Sequence, residues 1–179
     1  LTPVFDTDWG KMPGSYRFGM WYDPQPKEKF FNNLGGRIHH APLKRDDTGF
    51  FLSCDQMVWR EHPEVDADEQ GLGWFFRYGY APADVNAIEH FWSVGGQYQG
   101  LIPTRDEDVL AFGVAQGILS DNMRLEKADP HRETALELYY NIHLLPWLTL
   151  SPDFQWILRP GGENGRDAFV AGVRLQMTF

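Results

Sequence analysis

The sequence predicts an all-β fold: an antiparallel β-barrel of about eight strands, each long enough to cross a membrane. Three observations predict it. First, Pro, Gly, Asp and Asn gather in clusters at intervals along the chain, as they do between strands. Second, the segments between clusters run to roughly 8–15 residues, against about 9–11 for a transmembrane strand and about 5–6 for a soluble one. Third, apolar and polar residues alternate with period 2 inside those segments.

The composition narrows the class. The 179 residues are 42% hydrophobic and 15% aromatic, with a formal net charge of -9. That length suits a single domain, 1–179, and the aromatic content argues against disorder. No apolar run approaches the roughly 18 residues of a membrane-spanning helix. The acidic balance argues against a nucleic-acid partner, which would want a basic face. A single cysteine, Cys54, excludes an intrachain disulfide framework and a cysteine zinc site, and reads as a small strand residue. The chain opens at Leu1 with no charged-then-apolar leader. Either a leader has been removed or the chain is a piece of something longer, and the start just ahead of a turn favours a fragment.

The turn clusters are 9–14, 23–48, 61–70, 81–86, 102–107, 120–131, Leu145–Pro146 and 160–166. In 15–22, Tyr16, Phe18, Met20 and Tyr22 oppose Arg17, Gly19 and Trp21. The segment 49–60 is ambiguous: simple alternation puts Gln56 outward beside Leu52 and Val58, which predicts a bulge. In 71–80, Leu72, Trp74, Phe76, Tyr78 and Tyr80 oppose Gly73, Phe75, Arg77 and Gly79. In 87–101, Ile88, Trp92, Val94 and Tyr98 oppose Glu89, Ser93, Gln97 and Gln99. The segment 108–119 is apolar on one face and mostly small on the other (Ala111, Gly113, Ala115). In 133–144, Leu136, Leu138, Tyr140, Ile142 and Leu144 oppose Glu133, Glu137, Tyr139, Asn141 and His143. In 147–159, Leu148, Leu150, Pro152, Phe154, Trp156 and Leu158 oppose Thr149, Ser151, Asp153, Gln155 and Arg159. In 167–179, Phe169, Ala171, Val173, Leu175, Met177 and Phe179 oppose Gly172, Arg174, Gln176 and Thr178.

Period 2 does not say which face is inside. A soluble barrel buries the apolar face; a membrane barrel turns it to lipid and keeps the polar face for its interior. Three features favour the membrane. Aromatics recur near strand ends on the apolar face (Tyr16, Tyr22, Tyr80, Tyr98, Trp147, Phe179), as interfacial girdles do. The polar face mixes single charges with Gln, Asn, Ser, Thr, Gly and aromatics, as a shaped wet lumen would. The connections alternate in length, as short periplasmic turns and longer outer loops do. The 61–70 turn and the short 81–86 loop fit that alternation poorly. A soluble ligand-binding barrel stays the alternative at this point.

The carboxyl end carries a resemblance. Glu133-Thr-Ala-Leu-Glu-Leu-Tyr-Tyr-Asn-Ile142, Leu145-Pro-Trp-Leu-Thr-Leu-Ser-Pro-Asp-Phe-Gln-Trp-Ile157, Arg159-Pro-Gly-Gly162 and Ala171-Gly-Val-Arg-Leu-Gln-Met-Thr-Phe179 resemble the closing strands of the OprB-type carbohydrate-selective porin family. Asp55-Gln56-Met57 is similar to an internal strand of that family. The resemblance implies the carboxyl half of a 16-stranded barrel in the outer membrane of a Gram-negative bacterium, passing monosaccharides by facilitated diffusion. It also implies that the terminal Phe179 is the signal read by the barrel assembly machinery. About eight strands depart from that pattern. An eight-stranded barrel fills its interior with its own side chains, whereas 16–18 strands leave a channel. The expectation is therefore either a missing amino-terminal half or a second copy. The alternative is a small closed eight-stranded barrel with an anchoring or adhesion role.

A porin needs no catalytic residue and no cofactor. Its selectivity comes from pore width, lining donors and acceptors, and charge. Sugars favour bidentate Arg and carboxylate partners and aromatic faces. The lumen candidates are Arg17, Trp21, Arg77, Gln97, Glu137, Tyr139, Asp153, Gln155, Arg159 and Arg174. The blander reading is that several only bridge neighbouring strands and stiffen the wall. The acidic excess falls in turns (Glu61, Glu64, Asp66, Asp68, Glu69, Asp106, Glu107, Asp108), while the strands hold both signs in near balance, as suits small neutral sugars. His39-His40 reads as solvated loop rather than a metal site. Glu133 and Glu137 lack the cleft signal of a glycosidase pair, and no nucleotide-binding or hydrolase motif is present.

Overall fold

The computed structural model describes residues 4–9, 12–30, 42–65, 69–120 and 131–178. Phe179, His39, His40, Asp66 and Asp68 lie outside them. The architecture is one antiparallel sheet. Its strands are β1 (Val4–Trp9), β2 (Met12–Asp23), β5 (Asp47–Arg60), β6 (Gly71–Tyr80), β7 (Ile88–Gln99), β8 (Val109–Leu119), β9 (Arg132–Leu145), β10 (Leu148–Leu158) and β11 (Ala168–Met177). They pair in chain order as a nine-stranded meander. The connection from β2 to β5 carries a small ribbon of its own, β3 (Lys27–Glu28) against β4 (Leu43–Lys44). The sole helical element among the described residues is a 3-10 turn at Pro160–Gly162.

The eight expected segments are the eight strands from β2 to β11 in this sheet, with 10 to 14 residues each. That is the length a tilted strand needs to cross a membrane. The expected count of eight is corrected to nine by β1. The 9–14 cluster is not one turn. β1 ends at Trp9 and β2 begins at Met12, so Pro13 and Gly14 are strand residues opposite Asp8 and Thr7.

The chain has no apolar core among its described residues. Ala111 is the one buried hydrophobic residue, while the buried polar ones include Asp47, Ser53, Ser93, Asp108, Ser120 and Ser151. Phe112, Leu138, Phe154 and Ala171 follow one another across β8 to β11 on one face, and the first three are exposed. A soluble sheet would bury such a stripe; a lipid-facing wall displays it. Aromatic clusters sit toward both strand ends on this face. Phe50 packs against Phe18, Tyr78 and Tyr80 at ring distances of 5.6–6.3 Å, and Trp59 packs on Tyr98 at 5.7 Å.

A bulge does fall in β5, between Met57 and Trp59. It comes after Gln56, so Gln56 stays on the apolar face opposite Gly14 and Trp74. Its amide is satisfied there: Tyr16 donates to Oε1 at 2.6 Å, and Nε2 donates to the carbonyls of Met12 and Met57. After the following turn the chain re-enters the sheet at Gly71 with φ 146, where a Cβ would sit 2.1 Å from the Trp59 carbonyl oxygen, so only glycine fits.

The connections at one end touch in sequence. The Phe30 amide donates to Asp84, the Ser120 amide to Ala87, and the His131 amide to Gly162. The 24–46, 81–87, 120–131 and 159–167 connections therefore share one rim, and the 61–70, 100–108 and 146–147 connections share the other, so the expected alternation of short and long connections fails at 61–70 and 81–87.

Candidate functional site

Opposed residues in an antiparallel ladder share a face. One polar row runs Arg17, Ser53, Arg77, Ser93, Ala115, Ala135. The next runs Ser15, Asp55, Phe75, Gly95, Gly113, Glu137, Gln155. A third runs Gly73, Gln97, Ala111, Tyr139, Asp153, Gly172. Two concavities open on this face. A groove of about 1020 Å³ lies over β1 to β7 and includes Asp6, Asp8, Ser15, Asp55, Phe75 and Gln97. A cleft of about 170 Å³ lies over β9 to β11. Phe154, Trp156 and Leu175 are on the other face, exposed.

On the β2–β5–β6 side the charges are committed to neighbours. Arg77 donates to Asp55 at 2.6 Å and to the Cys54 carbonyl at 2.7 Å, with its guanidinium 5.2 Å from the Phe75 ring centre. This is the strand-bridging role. Trp21 lies across Gly49, where a Cβ would meet its indole at 2.5 Å, and Lys27 sits 5.4 Å from its ring. Lys27 also donates to the fully buried Asp47 at 2.8 Å and pairs with Asp23 at 3.1 Å. Asn86 donates to both Asp47 oxygens at 3.2 Å. The β3–β4 ribbon is thus latched to the rim beside Trp21. The Asp47 hydrogen bond, then that of Asp23, raises the Lys27 pKa against the opposing pull of desolvation. Asp84 on the neighbouring loop is held low by Lys44 first, with Lys29 adding and burial opposing.

On the β9–β11 side the charges are not so committed. Gln155 donates to Glu137 at 3.3 Å. Asp153 leans over Gly172, whose missing Cβ would sit 2.6 Å from Oδ1, and that oxygen has no hydrogen-bond partner. Arg174 stands opposite Ser151 in the same cleft.

The remaining candidates are separate from these groups. Arg17 is exposed opposite Val4 and Ser53, and Gln97 is exposed between Gly73 and Ala111. Arg159 is off the strand, in the β10–β11 turn with φ 54. Three polar-face aromatics were absent from the candidate set. Phe51 lies over Gly19, Phe75 over Gly95, and Phe91 stands between Gly79 and Gly117. The available signal was an aromatic sharing parity with the polar residues and facing glycine on the next strand. The expected near balance of charge is corrected: Arg17, Arg60, Arg77 and Arg174 share the face with Asp23, Asp47, Asp55, Glu133, Glu137 and Asp153. β1 adds Asp6 and Asp8, which makes the wall more acidic still.

At the opposite rim, Asp108 is buried and fully engaged. Arg105 donates to both its oxygens at 2.8 and 3.0 Å, Tyr140 donates at 2.7 Å, and the His143 amide at 2.9 Å. β8 ends its pairing at Val109–Asn141, so the Asp108 carboxylate serves a strand amide just past the ladder. Asp108 therefore belongs to a buried anchor rather than to solvated turn charge. Burial is the largest influence on its pKa and pushes it up. The hydrogen bonds from Arg105, Tyr140 and His143 together outweigh it, so its pKa is lowered.

The sequence profile of the carbohydrate-selective porin, OprB family, matches residues 3–179. The chain belongs to that family. OprB-family chains are porins of the Gram-negative outer membrane, and the nine-stranded wall described above is an OprB wall. Porin B of Pseudomonas aeruginosa is 23% identical over 193 residues, covering 94% of this chain and 42% of that protein. The high-pH structure of Pseudomonas putida OprB matches with a TM-score of 0.90 at 24% identity, over 99% of this chain and 47% of that one. The low-pH structure of the same protein matches at 0.66. The chain thus spans less than half the length of these relatives. The likeness fixes the fold as an antiparallel transmembrane barrel wall. No helix among the described residues is long and apolar enough to cross a membrane.

Proposed function

We propose that this chain forms part of the wall of a pore that passes small neutral sugars, glucose among them, by facilitated diffusion. The observation that carries the reading is the polar concave face. It places arginines, carboxylates, amides and aromatics together on the side opposite the lipid-facing stripe, in a chain of the carbohydrate-selective porin family. Such a wall does no bond chemistry; it exchanges hydration of the sugar hydroxyls for Arg, Asp and Gln contacts. The apolar face takes outer-membrane lipid as its partner, and the carboxyl-terminal Phe179 serves recognition by the assembly machinery.

Closure follows from strand parity. Neighbouring strands are antiparallel throughout, so β1 and β11, the first and ninth of the sheet, run the same way. A second copy in the same membrane orientation would meet this one at two parallel seams. Polypeptide supplying an odd number of strands closes the barrel with every pair antiparallel, as bacterial outer-membrane barrels do. Sixteen strands, the number the family implies, leaves seven. This favours further porin strands over a second copy, and over a small sealed barrel with an anchoring role.

Liposome swelling tests the reading, with glucose set against a larger oligosaccharide. A closed assembly containing this chain is expected to admit glucose faster. Entry of neither sugar through a folded, closed assembly would overturn it.

A further inference from the structure

We propose that the cleft over β9, β10 and β11 is a subsite for one neutral pyranose, gripped through a pair of adjacent hydroxyls. The inference rests on the sugar-pore reading and adds where on the wall the sugar pauses. Glu137, Tyr139, Asn141, Ser151, Asp153 and Arg174 line the cleft.

The ladder loses hydrogen bonding locally at this place, with its register unchanged. The β9–β10 ladder pairs Ile142 with Leu150 and resumes at Tyr139 with Asp153, so it is interrupted at Ser151 and Pro152. Pro152 sits between two strands and has no N–H to give to β9. The interruption and the cleft coincide. Gly172 completes it from the other side, because the space a Cβ would take is filled by the Asp153 carboxylate. That tuck fixes the carboxylate's orientation and leaves Oδ1 buried without a hydrogen-bond partner. Arg174 likewise makes no hydrogen bond or ion pair with described residues. A carboxylate with one unpartnered oxygen and a guanidinium thus share one small cleft.

The ligand class follows from that pairing. A cation would satisfy Asp153 and meet Arg174; an anion would satisfy Arg174 and meet Asp153 and Glu137. A hydroxyl both donates and accepts, so a neutral diol satisfies both groups at once. Hydrogen bonds to charged partners are the stronger kind, and the fixed fork of Arg suits two adjacent oxygens. Tyr139 adds a ring in the same cleft for the C–H side of a pyranose. The volume of about 170 Å³ admits one sugar ring rather than a chain.

The test is a saturation-transfer NMR titration of glucose against a closed assembly containing this chain in detergent micelles, with glucuronate and magnesium ions as separate probes. Asp153→Ala and Arg174→Gln are each expected to weaken glucose binding about tenfold. Gly172→Ala, which changes no charge, is expected to weaken it by displacing the carboxylate. Glu64→Gln, in an exposed turn, is the control and should bind as the parent does. Asp153→Asn keeps the shape and guards against a folding artefact, with strand content by circular dichroism checked for every variant. Glucose binding that survives Asp153→Ala, Arg174→Gln and Gly172→Ala unchanged overturns the subsite and leaves the sugar-pore reading standing. Preference for glucuronate or magnesium over glucose overturns the neutral-ligand assignment. Absence of glucose binding by the parent assembly, together with absence of glucose swelling, overturns both.

Discussion

The two sides of the wall use the same residue types to opposite ends. Between β2 and β6, Arg77 holds Asp55 and Lys27 holds Asp47, so these charges are compensated by the protein, while Arg17 stays exposed. Between β9 and β11, Asp153 and Arg174 lie in one cleft without pairing. Both sets follow the same period-2 rule, and both alternate with the same lipid-facing apolar residues. The difference lies in the neighbours. Arg77 with Asp55 and Arg174 with Asp153 stand at the same diagonal position on adjacent strands; Arg77 reaches Asp55 and becomes a brace, whereas Asp153 is tucked over Gly172. Where Gly172 makes room for the Asp153 carboxylate and Pro152 gives no ladder N–H, the group stays available to a ligand.

The largest expected effect tests the premise common to both sides, that Leu138 and its row face lipid. Leu138→Arg is expected to destabilise the chain by about 3 kcal/mol in urea unfolding from bilayers. A near-neutral result would mean that this face meets water. Next is the latch. Asp47→Ala removes the acceptor of Lys27 and Asn86 and should cost about 2 kcal/mol, with protease cutting in 24–46 as a local readout. Unchanged proteolysis would show that the ribbon is held by other means.

Asp108→Asn comes third and carries a pH signature. Its carboxyl pKa is lowered in the folded chain, so the folded state takes up that proton at lower pH than the unfolded state. The stability it supplies is full above the unfolded carboxylate value of about 4 and fades as pH falls through the folded one. An acid titration should therefore show a steeper loss for the parent than for Asp108→Asn; parallel curves would exclude Asp108 as the source. The smallest effects draw the comparison most sharply. Arg77→Gln should cost about 0.5–1 kcal/mol through its bridge, whereas Asp153→Asn should stay within about 0.5 kcal/mol. If Asp153→Asn costs as much as Arg77→Gln, the β9–β11 charges are braces too.

Strand positions were legible because they depend on local pattern. The segment 71–80 is β6 to the residue, and 147–159 exceeds β10 by one at each end. β1 was missed because Trp9, Gly10, Pro13 and Gly14 read together as a turn. In the sheet, Pro13 pairs with Asp8 and Met12 with Trp9. Asp108 was read as solvated turn charge, because the groups that bury it lie near it in sequence only in Arg105. Tyr140 and His143 come from β9, more than thirty residues on. Gln56 showed the opposite case: simple alternation placed it on the apolar face, and partners from β2 make that position tolerable.

The sequence by itself determined the alternation, the strand lengths, the family and the side on which each strand residue stands. These are set by steric period and by turn chemistry within a few residues. The tertiary structure alone decided which charges are paired, where ladder hydrogen bonding is lost, and that the first and ninth strands among the described residues run the same way. Those outcomes depend on register between strands, and a register is fixed only when distant segments meet.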